Sequence, residues 1–249
     1  MLVIKGEMII YYKPENFNVE RTTVWSFRQR GSWATHSGRY RGNWSPYVPR
    51  NLILRYTREN DLILDQFLGS GTTLIEAKLL NRNAIGIDIN DSSILISKAN
   101  LNFNYDTTSK ICIKIGDAKN LNFIRDESID LICTHPPYSN VIKYSNNIKD
   151  DISLLCYDDF LNSMDLVAYE SYRVLKKGKI CAIMIGDIRK DGKVVPLGFQ
   201  VMNCFLNKGF KSKEIIIKEQ HNCRSTEYWS KRQNNFLMLA HEYIFVFEK

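Results

Sequence analysis

The run LILDQFLGSGTTLIEAKLL, residues 62–80, constrains this chain more than any other feature. It opens as a strand-length apolar run ending on Asp65, passes through Gly69 and Gly71, and continues with apolar residues at helical intervals. Glycine supplies the backbone freedom of a tight turn, so the stretch reads as strand, turn, helix. The alternation then repeats. Residues 83–90 read as a strand closing on Asp88, followed by a helical SSILISKANLNF. ICIKIGDA makes a third strand, ending on Gly116 and Asp117, and residues 129–134 a fourth. Residues 158–175 read as a helix stopped by KKG, KICAIMIGD as a fifth strand, and PLGFQVMNCFLNKGF as a helix ending at Gly209. EIIIK and EYIFVFE are the last two strands. Long crossovers between strands require a parallel pairing, which predicts an α/β, doubly wound, mostly parallel seven-stranded sheet. The final two strands are expected to form an antiparallel hairpin at its edge.

A chain of 249 residues with 44% hydrophobic content can bury a full core in one domain. No apolar run approaches the ~20 residues that span a bilayer. The six cysteines, at 112, 133, 156, 181, 204 and 223, fall in no CxxC pair. That argues against a zinc cage or a redox dithiol, singles out no metal ligands, and points to a reduced, cytoplasmic protein. The net charge of +7 is uneven: residues 1–60 hold 10 Lys/Arg against 4 Glu, and residues 208–249 hold 8 against 5 acids. Basic ends around a near-neutral middle suit a polyanionic substrate.

The glycine turn carries the first chemical signal. Ligands of open parallel sheets bind at the carboxyl ends of the strands, and Gly69 and Gly71 let a ligand approach the backbone there. Asp88 lies 23 positions after Asp65, an offset that suits an acid gripping ribose hydroxyls. The third glycine of a dinucleotide fingerprint is replaced by Leu74, which disfavours pyrophosphate. Asp65 would repel phosphate and welcome an ammonium group. S-adenosylmethionine has that ammonium, a ribose and no phosphate. Asp117 could accept an adenine amine, or simply cap a helix.

The second signal is THPPY, residues 134–138, directly after the fourth strand. Two prolines make a stiff, extended corner with free carbonyls. Thr134, His135, Pro136 and Pro137 could hold an exocyclic amine while Tyr138 stacks on its base, or the prolines could merely end the strand. A third cluster, residues 25–50, interleaves Arg28, Arg30, Arg39, Arg41 and Arg50 with Trp25, Trp33, Tyr40, Trp44 and Tyr47. It suits phosphate contacts plus base stacking, or a basic face over packed rings. Residues 217–229 form a second polar, basic candidate surface, and Arg224 within it and Lys231 and Arg232 just beyond it are candidate nucleic-acid contacts. The polar, weakly patterned residues 139–158 are a candidate mobile loop.

Taken together, these residues resemble the amino-methyltransferases of DNA, which methylate cytosine N4 or adenine N6 in restriction-modification systems. DQFLGSGTT is similar to their F-x-G-x-G cofactor motif, which places Asp65, Phe67, Gly69, Gly71 and Thr72 at the cofactor. THPPY is similar to their (Ser/Asn/Asp)-Pro-Pro-(Tyr/Phe) motif, HEYIFVFEK to their closing strand, and NWSPYVPRNLILRYT to the segment before the cofactor motif. The resemblance covers roughly residues 33–249 and implies a Rossmann-like methyltransferase fold, S-adenosylmethionine as cofactor and DNA as partner. Residues 1–249 are expected to be one catalytic domain, with residues 1–50 its basic aromatic segment.

Two departures stand out. His135 occupies the position that is normally Ser, Asn or Asp, and only a neutral imidazole could accept a hydrogen bond from the amine. Methylation is therefore expected to fall as pH drops through the pKa of His135. Thr134 leans the reading to cytosine N4 over adenine N6, because cytosine enzymes of the family usually carry Thr-Ser-Pro-Pro-Tyr. No separate target-recognition domain is evident, so a homodimer or a specificity subunit is expected. An RNA amine methyltransferase, a protein-glutamine methyltransferase and a non-catalytic nucleic-acid-binding subunit are the rival readings.

Overall fold

The computed structural model describes residues 11–221 and 235–249, and the backbone of residues 2–4 and 7–9. Strands are β1 (Leu2–Ile4), β2 (Glu7–Ile9), β3 (Val24–Trp25), β4 (Leu62–Asp65), β5 (Asn83–Asp88), β6 (Ile111–Ile115) and β7 (Ile129–Thr134). They continue with β8 (Leu175–Ile185), β9 (Ile188–Lys190), β10 (Lys193–Val195), β11 (Lys211–Glu219) and β12 (His241–Glu248). Helices are α1 (Tyr47–Tyr56), α2 (Thr72–Leu79), α3 (Asp91–Leu101), α4 (Tyr157–Val174) and α5 (Leu197–Leu206).

The main sheet runs β3-β11-β12-β8-β7-β4-β5-β6. Strands β4 to β8 pair in parallel, and β12 is antiparallel to both β8 and β11. This is the doubly wound architecture that the alternating pattern requires, with its antiparallel C-terminal strand. The sheet has eight strands rather than seven. The extra one is β3, two residues that pair in parallel with the outer edge of β11, Val24 opposite Ile217 and Trp25 opposite Lys218. So short a strand carries no period of its own to read.

Side chains alternate across the sheet, as a pleat demands. Cys181, Ile183 and Ile185 of β8, with Tyr243, Phe245 and Phe247 of β12, pack under Phe160, Met164, Val201 and Phe205 of α4 and α5. Ala182, Met184, Ile244 and Val246 face the other way, onto Val48, Leu52, Leu74 and Ala77 of α1 and α2. Burial on both faces explains why β7 and β8 read as continuous apolar runs. The KKG stretch ends α4 but already belongs to β8, where the register against β7 shifts between Ile129 and Leu131 and Gly178 takes a left-handed φ of 70°. Among the described residues no helix is long and apolar enough to cross a membrane.

Residues 139–158 are held together rather than left open. Ser145 Oγ donates to Asp151 Oδ2 at 2.6 Å, the Tyr144 N–H to Ser153 Oγ at 3.0 Å, and Ile152 and Ser153 are buried. Polar side chains that bond one another locally hide this order from any apolar periodicity.

Candidate functional site

Parallel strands β4, β5, β6 and β7 bring their carboxyl ends to one rim, and there a cleft enclosing about 780 Å³ opens. Phe67, Gly69, Asp88 and Asp117 all line it. Asp88 accepts the N–H of Gly69 on Oδ2 and that of Asn90 on Oδ1, each at 2.9 Å, so its carboxylate is held rigidly at the end of β5. Burial raises its pKa despite those two bonds. Asp117 accepts the Lys119 N–H at 2.9 Å, with the Lys119 ammonium 3.5 Å away. Gly69 has φ of 52°, and a Cβ there would sit 3.2 Å from the Tyr40 ring.

The structure places the other motif residues behind that surface. Asp65 is 2% exposed and accepts Thr73 Oγ1 at 2.6 Å, Thr134 Oγ1 at 2.7 Å and the Phe67 N–H at 3.1 Å. Burial pushes its pKa up to about 6. It clamps the turn and does not line the cleft. Thr134 likewise spends its proton on Asp65, while its oxygen takes the N–H groups of Gln66 and Phe67, both at 3.2 Å. Thr72 donates to Asn43 Oδ1 at 2.5 Å, and Gly71 packs on Ser97 of α3. The sequence does not single out Gln66, yet it lines the cleft, and its buried Nε2 has no partner among the described residues. An orphaned, buried amide donor on a residue that borders a cleft calls for an explanation.

Two tyrosines roof this cleft. Tyr40 and Tyr144 stack at 6.1 Å and 16°, and Tyr40 bonds Ser93 Oγ at 2.9 Å. Gly42, at φ 78°, makes room for the roof, since a Cβ there would lie 1.7 Å from the Tyr144 hydroxyl. Burial pushes the Tyr144 phenol up to about 12.

A second, larger cleft of about 2020 Å³ adjoins the first, and His135, Pro137, Trp44 and Tyr144 line both. Pro136 and Tyr138 face the larger one. The His135 ring stacks on Trp44 (5.5 Å, 22°) and meets Tyr138 edge-on. His135 Nε2 is 3.0 Å from Tyr138 Oη, which donates to Glu242 Oε1 at 2.8 Å, and Lys218 Nζ donates to Glu242 Oε2 at 3.0 Å. Burial lowers the pKa of His135 to about 4, with the Glu242 carboxylate opposing, so the ring is neutral at physiological pH. Glu242 escapes the sequence reading because it lies on β12, about a hundred residues from the corner it supports, and Lys218 of β11 reads only as part of a basic surface.

The basic segment divides. Arg28, Arg39 and Arg41 are exposed, and Arg28 lines the larger cleft. Arg30 also reaches that cleft, but its guanidinium donates to the carbonyls of Asn43 and Trp44, and burial lowers its pKa to about 10. Arg50 is an interior residue, paired with Glu76 at 2.7 Å, and Trp25, Trp33 and Trp44 are core. Much of the cluster therefore fastens residues 11–50 to α2. Arg224, Lys231 and Arg232 lie outside the described residues. Among the described residues no three His, Cys, Asp or Glu side chains gather as metal ligands would.

Comparison with known proteins places this geometry in a family. The chain is 29% identical over 162 residues to the type II methyltransferase M.MthZI of Methanothermobacter thermautotrophicus, covering 57% of this chain and 45% of that one. It is 34% identical over 125 residues to a tRNA (guanine(10)-N2)-dimethyltransferase of the same species, covering 50% of this chain and 35% of that one. Each match thus spans less than half the length of its relative. A solved S-adenosylmethionine-dependent methyltransferase of Methanosarcina mazei shares the fold (TM-score 0.55, 17% identity, 80% of this chain and 96% of that one). A model of RMKL-like methyltransferase domains matches residues 53–184. A model described as DNA methylase, of the N6/N4 type, matches residues 4–99 and 129–249, and with more than four-fifths of its length inside that match the chain belongs to this S-adenosylmethionine-dependent DNA methylase family.

Proposed function

We propose that this protein methylates the exocyclic amine of a base in DNA, with S-adenosylmethionine as donor. The observation that carries the reading is the shared wall: His135 and Pro137 line both a cleft bearing Gly69, Asp88 and Asp117 and a groove lined by Arg28 and Arg189. The smaller cleft fits the donor. Asp88 offers fixed acceptors for ribose hydroxyls, Asp117 an acceptor for the adenine amine, and the bare Gly69 backbone a close approach. Gln66, whose buried Nε2 has no partner among the described residues, borders the same cleft. Bound there, S-adenosylmethionine supplies an electrophilic sulfonium methyl.

The chain's own residues do the positioning. A base lifted out of its stack enters from the larger groove, and the Pro136-Pro137 corner holds its amine at a fixed height. Accepting an N–H bond from that amine leaves its lone pair aimed across the wall, and neutral His135 can act as such an acceptor. Arg28 and Arg189 offer charge to the phosphate backbone. The lean to cytosine N4 rested on Thr134, whose hydroxyl is enclosed against Asp65. Cytosine and adenine are therefore both offered in the test.

That test is mass spectrometry of nucleosides from DNA incubated with the protein and isotope-labelled S-adenosylmethionine. Labelled N4-methylcytosine or N6-methyladenine supports the reading and names the base. The tRNA relative supports a second reading, methylation of an RNA amine. Label confined to RNA in the same assay would replace the first reading with the second.

A further inference from the structure

We infer that Glu242, through Tyr138, fixes which nitrogen of His135 carries the proton and so presents Nδ1 as a bare acceptor to the target amine. Glu242 and Lys218 thereby become positioning residues. The inference rests on the amine-methylation reading above, but its first test does not depend on activity.

The protons along this chain of contacts are few enough to place one by one. A phenol has one proton, and Tyr138 Oη lies 2.8 Å from Glu242 Oε1 and 3.0 Å from His135 Nε2. Burial alone would push the Glu242 carboxyl up, but the Lys218 ammonium on Oε2, with the Tyr138 hydrogen bond, holds it below the usual carboxylate range. Glu242 is therefore an ionised, acceptor-only group, and the phenol proton points at it. Burial keeps Tyr138 itself protonated, its pKa well above the ordinary value. With its only proton committed, Tyr138 Oη can meet Nε2 solely as an acceptor, which requires Nε2–H. A neutral imidazole has a single ring proton, so Nδ1 is left with a free lone pair. Nδ1 has no hydrogen-bond partner among the described residues, and His135 lines both clefts.

The surroundings hold this arrangement in place. Lys218 and Glu242 are direct cross-strand partners on β11 and β12. A Cβ on Gly186, just past the end of β8, would lie 3.1 Å from the Tyr138 ring, so the ring packs against backbone. Trp44 covers one face of His135, and its charged neighbours are Glu242 and Lys218.

The experiment is long-range proton–nitrogen NMR of the full chain labelled with ¹⁵N-histidine, without donor or DNA. The chain has four histidines, and the signal missing from His135→Gln assigns the ring. The expected result near pH 7.5 is an Nε2–H tautomer. In Glu242→Gln the new amide can donate to Tyr138 Oη and free the phenol proton for Nε2, so the ring is expected to shift toward Nδ1–H. Methyl transfer is expected to slow by ~10²-fold in that variant with donor affinity unchanged, the scale of a lost proton-handling contact. Tyr138→Phe serves if Glu242→Gln does not fold, and is expected to give a mixture of tautomers. An Nδ1–H ring in the wild type, or a tautomer indifferent to both variants, overturns the inference. An Nε2–H ring that responds to Glu242, in a protein that labels no nucleic acid, supports the tautomer assignment and rejects the methylation reading instead.

Discussion

His36 and His135 each end a path to a buried glutamate, and the two paths differ in length and in what they leave open. His36 Nε2 meets Glu76 Oε1 directly at 2.7 Å, beside Trp33 Nε1 at 2.7 Å, while Arg50 takes Oε2. His36 Nδ1 is sealed in without a partner. His135 reaches Glu242 only through Tyr138, and it lines two clefts. A glutamate crowded by donors from residues 33–50 is a clamp. A glutamate one phenol away from an open ring can set a protonation pattern without blocking the ring. Burial and charge are common to both sites, so accessibility of the second nitrogen is what separates fastening from chemistry.

The comparison breaks most visibly in stability. Glu76→Ala leaves Arg50 as an uncompensated buried cation and is expected to cost about 3–5 kcal/mol. Glu242→Gln removes the counter-charge of Lys218 but keeps a polar partner for it and for Tyr138, and is expected to cost about 2 kcal/mol, the worth of a charge-assisted hydrogen bond. Urea titration of both reads the difference, and equal losses would erase the distinction between clamp and positioning group.

Activity sharpens it next. His135→Ala is expected to slow methyl transfer ~10²–10³-fold while donor affinity stays within about threefold, the signature of a contact made at the reacting centre. His36→Ala should leave the rate per folded molecule unchanged, so a matching collapse in that variant would argue that both histidines are structural. Smaller still is the roof. Gly42→Ala drives a methyl into Tyr144 and is expected to weaken donor binding about tenfold by calorimetry, equivalent to ~1.4 kcal/mol. Unchanged affinity would remove Tyr144 from the donor site.

The pH dependence is the finest test. His135 takes up its proton at about 4 in the folded chain, against 6.5 for a free side chain. The unfolded chain therefore binds a proton that the folded chain refuses between those values, and this contribution to stability declines as pH falls from about 6.5 to about 4. Asp65 acts with the opposite sign. Its pKa, raised from 3.8 to about 6, favours the folded chain at low pH, a contribution lost as pH rises through the same window. Comparing wild type with His135→Gln isolates the histidine. Single-turnover methylation is expected to be flat from pH 8 to pH 5 and to fall only near 4. A fall centred on 6.5 would mean a solvated ring.

Local features were legible in the sequence because the information is local. The strand–turn–helix at residues 62–80 needs only its own apolar spacing and glycines, and Asp88 follows from the length of one crossover. Asp65 and Thr134 read as site residues on motif grounds, yet each faces the other across β4 and β7, since a side chain's direction depends on strand pairing rather than on motif. Arg50 reads as surface by composition, and only the fold supplies Glu76 to bury it. The roles of Glu242, Lys218 and Tyr144 were invisible for a related reason: their partners come from distant chain segments.

Strand β3 has one more consequence, in the order of assembly. Its residues, and the Thr23 carbonyl that receives the Ile217 N–H, pair with a strand nearly two hundred residues later in the chain. On the ribosome, residues 23–25 must wait until β11 has been made, because that edge does not exist before then. Trp25 is 1% exposed in the finished fold, and its backbone gains its strand partner, Lys218, only late in synthesis. The same two-residue pairing afterwards covers part of the outer edge of β11, a row of backbone groups on which another strand could otherwise add.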